Sequence, residues 1–160
     1  MKKLHILAMA ACAAAVSVIP ASAQNVNGRP NFGQVNLRSG FAPDPRVISV
    51  VSGGNINASR VRGSGTCRGF ISATPDVRLV YTASGRYPLI ISVDSSADTT
   101  LIVNTPNGRF ICDDDGGERG LNPSIRINNP GSGRYEIWVG SYRAGTNSRA
   151  RLHISEVSSQ

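Results

Sequence analysis

From about residue 46 onward the chain alternates apolar and polar positions. Val77, Leu79 and Tyr81 alternate with Arg78 and Val80, and Leu89, Ile91 and Val93 with Ile90 and Ser92. Leu101 and Val103 flank Ile102, Ile125 and Ile127 flank Arg126, Tyr135, Ile137 and Val139 alternate with Glu136 and Trp138, and Ala150, Leu152 and Ile154 alternate with Arg151 and His153. A period of two sends successive side chains to opposite faces of a strand, whereas a helix would repeat every 3.6 residues. Gly, Pro, Asn or Asp bounds each run, as turns between strands require. Such half-buried alternation favours antiparallel sheets with one face in water. About eight strands of this kind predict an all-β fold over residues 46–160, an antiparallel β-sandwich or jelly roll.

The two ends read differently. Residues 24–45 are rich in Asn, Gly, Pro and Arg, with Phe32 and Phe41 isolated, and predict an irregular lead-in. Residues 1–23 have the form of a secretory signal peptide. Lys2 and Lys3 precede an apolar run from Leu4 to Ile19, Pro20 ends it, and Ala21-Ser22-Ala23 supplies the small residues of a cleavage site. The run is short and rich in Ala for a bilayer anchor, so no membrane span is expected after cleavage. The expected location is the periplasm or the medium.

Removing 23 of the 160 residues leaves 137, a length suited to one domain. It also removes both lysines, so 15 arginines face 10 acidic residues. Arginine stays charged and binds carboxylate or phosphate through two parallel hydrogen bonds. The arginines are dispersed rather than set in a stripe with interleaved aromatics, so nucleic acid is not an expected partner. Two cysteines remain, Cys67 and Cys112. In an oxidising compartment they predict one disulfide, worth about 3–4 kcal/mol in the chain-entropy model.

The acidic residues are concentrated. Thr105-Pro106-Asn107-Gly108 reads as a four-residue hairpin loop. With Asn104 opposite Arg109, Leu101, Val103, Phe110 and Cys112 share a core face, and Asp98 lies opposite Asp115. Asp113 and Asp114 stand beside that pair, with Asp94 one short loop away. Carboxylates so gathered repel unless compensated. Calcium takes six to eight oxygens, and Asp94, Asp98, Asp113, Asp114, Asp115 and Asn122 form a candidate set. Pairing with an arginine such as Arg119, or simple solvation, compensates equally well. The spacing is not that of an EF-hand.

Asp98-Thr99-Thr100-Leu101-Ile102-Val103, the Cys112-Asp113-Asp114-Asp115 loop and Gly133-Arg134-Tyr135-Glu136-Ile137-Trp138-Val139-Gly140 together resemble bacterial pre-peptidase C-terminal domains over roughly residues 65–157. Asp98, Leu101, Gly133, Tyr135 and Val139 occupy the positions of that family's pattern. The resemblance implies a small secreted β-sandwich, in some members calcium-binding or matrix-binding, normally appended to a secreted enzyme. No catalytic domain accompanies it in this chain.

Catalysis has little to draw on. His153 is the one histidine after residue 23, and alternation places it with Arg151 on a solvent face. Ser64 and Ser132 sit in glycine turns, and there is no Gly-x-Ser-x-Gly elbow. An enzyme is not expected, and a hydrolase or peptidase ranks last. Trp138, with Tyr142 and Arg143 nearby, is a candidate ligand-stacking patch if it is exposed, and a packing residue if it is covered. The preferred expectation is a non-catalytic exported sandwich that binds an envelope or extracellular polymer or protein and is stabilised by calcium. The alternative is a structural or stress-related periplasmic protein without a specific ligand.

Overall fold

The computed structural model describes residues 24–61 and 67–160; the expected signal segment and Ser64 lie outside the described residues. The strands are β1 (Gln34–Arg38), β2 (Arg46–Val51), β3 (Ile56–Asn57), β4 (Phe70–Ile71), β5 (Val77–Thr82), β6 (Leu89–Asp94), β7 (Thr99–Asn104), β8 (Phe110–Asp113), β9 (Ser124–Ile127), β10 (Gly133–Ser141) and β11 (Arg149–Ser155). They form two packed sheets, so the chain is an all-β sandwich. In the first sheet β10 is central, pairing antiparallel with β5, β7 and β4. β8 extends β7, and β3 extends β4. The second sheet runs β2-β11-β6-β9, all antiparallel.

β1 corrects the lead-in. Residues 34–38, expected as irregular, pair in parallel with β5 from Gln34 opposite Arg78 to Arg38 opposite Thr82. Val35 and Leu37 pack against the core between exposed Gln34, Asn36 and Arg38. The period of two is present there, but in too few residues to stand out among the surrounding turn formers.

The core lies between the sheets. Val77, Leu79, Tyr81, Leu101, Val103, Tyr135, Ile137 and Val139 of the first sheet meet Leu89, Ile91, Val93, Leu152 and Ile154 of the second. Tyr135 hydroxyl donates to Gly131 carbonyl at 2.7 Å, tying the entry of β10 to its own turn. Tyr81 hydroxyl donates to buried Glu156 at 2.5 Å. Burial first, and then the carboxylate, push its pKa up to about 12.

The β7–β8 hairpin differs from expectation by one residue. Thr105 N–H donates to Arg109 carbonyl (2.9 Å) and Gly108 N–H to Thr105 carbonyl (2.8 Å). The loop therefore has three residues, closed by Gly108 at φ 79°, where a side chain would be strained. Asn104 faces Phe110, Ile102 faces Cys112 and Leu101 faces Asp113. A slip of one residue turns every side chain of the strand over. Cys112 and Phe110 thus leave the core face for the opposite face of the sheet. Cys112 is bonded there to Cys67, Cα–Cα 5.2 Å. The expected disulfide is present, but it fastens β8 to the segment before β4 outside the main core.

The faces that alternation predicts to be wet are covered in part. On the first sheet Trp138 and Ile102 lie in a second apolar cluster with Ala58, Val61, Cys67 and Ile71, bordered by Val26, Ile56, Phe110 and Cys112. Gly54 lets the chain pass here: at φ 151° its α-carbon rests against the Ile71 backbone, leaving no space for a β-carbon. Beside this cluster residues 24–31 dock through Asn25 N–H to Ala73 carbonyl and Asn31 N–H to Pro75 carbonyl, both 2.8 Å. On the second sheet the C-terminal residues turn back. Ser159 hydroxyl donates to Ser124 hydroxyl (2.7 Å), and Gln160 N–H donates to Ser92 hydroxyl (3.2 Å). His153, the register neighbour of Ser92, is only 7% exposed rather than facing solvent.

Buried Asp76 ties the lead-in to β10. Its carboxylate accepts from Val139 N–H (2.8 Å), the Asn31 amide (2.9 Å) and Ser72 hydroxyl (3.3 Å). Burial outweighs these bonds and raises its pKa from 3.8 to about 6. The native state therefore holds the proton longer than the unfolded state. This contribution to stability is complete below pH 3.8 and is lost as the pH rises to about 6, a swing of about 3 kcal/mol. Burial lowers the pKa of His153, which acts in the opposite direction. The expected result is therefore read from the difference between wild type and Asp76→Asn in urea denaturation. The advantage of wild type should shrink from about pH 4 to pH 6, and a difference that is flat with pH would contradict it.

Candidate functional site

The aspartates are placed first by the hairpin. Asp113 Oδ2 accepts from Gly116 N–H (2.7 Å) and Ser124 N–H (2.8 Å), closing the loop that follows β8. Asp114 lies 3.7 Å from Arg68 Nε. Asp94 is paired with Arg151 across β6 and β11. Asn122 is buried, accepting from Thr99 hydroxyl (2.8 Å) and donating to the carbonyls of Ser95 (2.8 Å) and Arg119 (3.1 Å). Asp98 has one carboxylate oxygen without a partner, and its pKa is raised by burial and then by Asp115. Asp115 is exposed.

Asp94, Asp113, Asp114 and Asn122 therefore each have a local partner, while Asp98 keeps an oxygen without one. Among the described residues no three His, Cys, Asp or Glu side chains are grouped so as to hold a metal ion. Asp94 and Asp113 each use one carboxylate oxygen on protein donors, Asn122 uses its amide oxygen, and the expected face-to-face placement of Asp98 and Asp115 depended on the displaced register. Asp113→Ala is expected to destabilise the chain by about 1–3 kcal/mol, because two backbone donors lose their acceptor. The loss should be equal in EDTA and in calcium. A loss seen only in calcium would give Asp113 a ligand role instead.

The aromatic patch is also divided. Trp138 is 0% exposed, with Phe110 at 6.2 Å between ring centroids, so it is a packing residue and not a stacking platform. Tyr142 is 39% exposed beyond the end of β10, its N–H donating to Asp98 carbonyl at 3.2 Å, and Arg143 is exposed beside it. Neither ring nitrogen of His153 has a hydrogen-bond partner, and Ser132 hydroxyl accepts from Ala83 N–H. No serine–histidine pair is assembled among these side chains.

One concavity lies mostly at residues that alternation did not single out. A groove of about 650 Å³ opens where the end of β2 meets the start of β11, lined by Phe32, Val51, Asp94, Ser95, Arg149 and Arg151. Val51 and Arg149 face each other across the strands, as do Ser49 and Arg151, and Arg151 and Asp94. Phe32 and Val51 are exposed apolar side chains. Arg151 is held by Asp94, while Arg149 has no ion-pair or hydrogen-bond partner for its guanidinium among the described residues. A second hollow of about 340 Å³ shares Phe32 and Ser49 and continues along β2 towards Arg46, floored by Val35, Ile48 and Val77. The sequence signals were present but slight: an isolated aromatic at Phe32, and a second valine at Val51 that breaks the alternation.

No protein-family model matches the chain, and no curated protein matches it. Among solved structures, the crystal structure of Aeromonas hydrophila PliG, a periplasmic lysozyme inhibitor of g-type lysozyme, is similar at 14% identity and a TM-score of 0.40, covering 76% of this chain and 96% of that chain. No helix among the described residues is long and apolar enough to cross a membrane.

Proposed function

We propose that the chain is an exported, non-catalytic binding protein that holds a polymer or protein of the envelope or extracellular space in the groove beside β2. The observation that carries this reading is the lining of the groove. Exposed Phe32 and Val51 offer apolar contact, and Arg149 offers an unpaired cation with five donors. Aromatic and arginine side chains are the residues that most often anchor a bound partner. Two further features support a role without catalysis. His153 is buried with neither nitrogen bonded, and Cys67 and Cys112 are in a disulfide, so neither an exposed imidazole nor a thiolate from these residues is offered. The disulfide and the signal-like N-terminus support export.

The test is retention of purified envelope polymers and envelope proteins on the immobilised mature chain. Wild type should retain at least one of them, and Phe32→Ala with Arg149→Ala should weaken that retention by roughly tenfold or more. Retention that is unchanged in the double variant would overturn the reading, as would its complete absence in wild type.

A further inference from the structure

β2 is an edge strand. It pairs with β11 on one side, and among the described residues no backbone bond reaches it from the other. The register shows which of its groups are unused. Ser52 N–H donates to Ser148 carbonyl at 2.8 Å, so Ser52 and Ser148 form a hydrogen-bonded pair of the ladder. Antiparallel pairs alternate between bonded and non-bonded. Val50, Ile48 and Arg46 therefore bond to β11, and the N–H and C=O groups of Val51, Ser49 and Val47 point to the open side. Arg149 agrees with this phase. As the non-bonded partner of Val51 it turns its own carbonyl away from β2, where it accepts from Ser95 hydroxyl at 3.0 Å.

The open side is furnished on both flanks. Val47 and Val51 are 43% and 44% exposed. The hollow along β2 is lined by Phe32 and Val35 as well as by β2 itself, and the groove described above continues it towards Val51. Natural edge strands are normally blunted by proline, by inward charge or by a covering segment; among residues 46–51 there is no proline, and the charged residue is terminal Arg46. Arg46 at one end and Arg149 beside the other are both exposed and without an ion-pair partner among the described residues.

The geometry points to β2 as an acceptor for an extended peptide segment of a partner protein, which adds to the second sheet as a new edge strand. Its backbone bonds to Val47, Ser49 and Val51. Its alternate side chains enter the hollow at Phe32 and Val35, and carboxylates at its two ends meet Arg46 and Arg149. Strand addition of this kind takes affinity from main-chain bonds and selectivity from alternate pockets. The inference rests on the groove reading above and specifies the class of ligand.

The probe is a peptide of about seven residues, the reach of an ordinary strand, alternating threonine and valine with a glutamate at each end. It is titrated calorimetrically into the full mature chain. Two isomers carry N-methyl groups on alternate amides, one set on each edge. One isomer should bind as the parent does, and the other should be weaker by roughly tenfold or more. Replacing the glutamates by lysines should weaken binding as well. Ser49→Pro removes an outward N–H without touching the ladder to β11, and should lose the peptide while melting close to wild type. Equal binding of both methylated isomers would overturn strand addition and leave the groove reading intact. Absence of peptide binding would overturn it too, and Phe32-dependent retention of an envelope polymer would then show that the groove reading survives. A dimer abolished by Ser49→Pro would make the occupant a second copy of this chain and overturn the peptide assignment.

Discussion

Trp138→Ala is expected to cost about 3–5 kcal/mol of unfolding free energy. The indole is fully buried on the outer side of the first sheet, among Ile102, Ile71, Ala58 and Val61, with Phe110 beside it. The polypeptide over it is short and irregular, so the hole has little to collapse onto it. The indole N–H has no acceptor, so the loss is one of apolar contact rather than of a hydrogen bond. Equilibrium urea denaturation measures it, and the melting temperature should fall on the order of 10 °C. Trp138→Phe should recover most of the loss. A change below about 1 kcal/mol would mean that the ring does not carry the cluster.

Arg78→Ala is expected to cost a similar amount, about 3–5 kcal/mol, for an electrostatic reason. Glu136 is 1% exposed; its Oε1 accepts from Arg78 Nε at 2.6 Å and is ion-paired with Arg134 Nε at 2.9 Å. The Arg78 guanidinium also donates to the carbonyls of Gly28 (2.9 Å) and Val26 (3.3 Å). Removing it leaves a buried carboxylate with one half-exposed partner, and two carbonyls of the lead-in with no donor. The double variant Arg78→Met, Glu136→Met should be more stable than Arg78→Ala alone, because no unpaired charge remains. Amide exchange at Asn25 and Asn31 should quicken in Arg78→Ala, since the segment loses an anchor. If the double variant is the less stable of the two, burial of an unpaired charge is not the cause.

The period-two runs at Val77–Tyr81, Leu89–Val93, Leu101–Val103, Ile125–Ile127, Tyr135–Val139 and Ala150–Ile154 each lie in a strand, and their apolar members turn inward. Periodicity assigns a side chain to a face. It cannot say what lies over that face. Glu136, Trp138 and His153 sit where alternation puts them, yet all three are covered by segments outside their own strands. Register was less legible than strand position. Asn104 bonding opposite Phe110 instead of Arg109 depends on whether Gly108 takes a left-handed conformation, a choice of a single turn residue. The expected pairing of Asp98 with Asp115 depended on that choice, although Asp115 and Asp114 still lie near enough to raise the Asp98 pKa. The groove was hidden for another reason, since it arises where the edge of β2 and the lead-in meet, and no local pattern encodes a meeting of edges.

β10 and β11 are the spine of their respective sheets, and they are also the last two strands of the chain. A polypeptide delivered to its folding compartment N-terminus first therefore presents β2, β5, β6 and β7 before the strands they must join. Until residues 133–155 arrive, β5 has no antiparallel neighbour and β2 no neighbour at all, while the β7–β8 hairpin can close by itself. Completion is thus a late, concerted event that waits on distant partners, which makes for slow acquisition of structure and a prolonged interval of sticky, unsatisfied strands. A nascent chain halted before Gly133 should stay protease-sensitive along its length, and release of the final segment should convert it in one step.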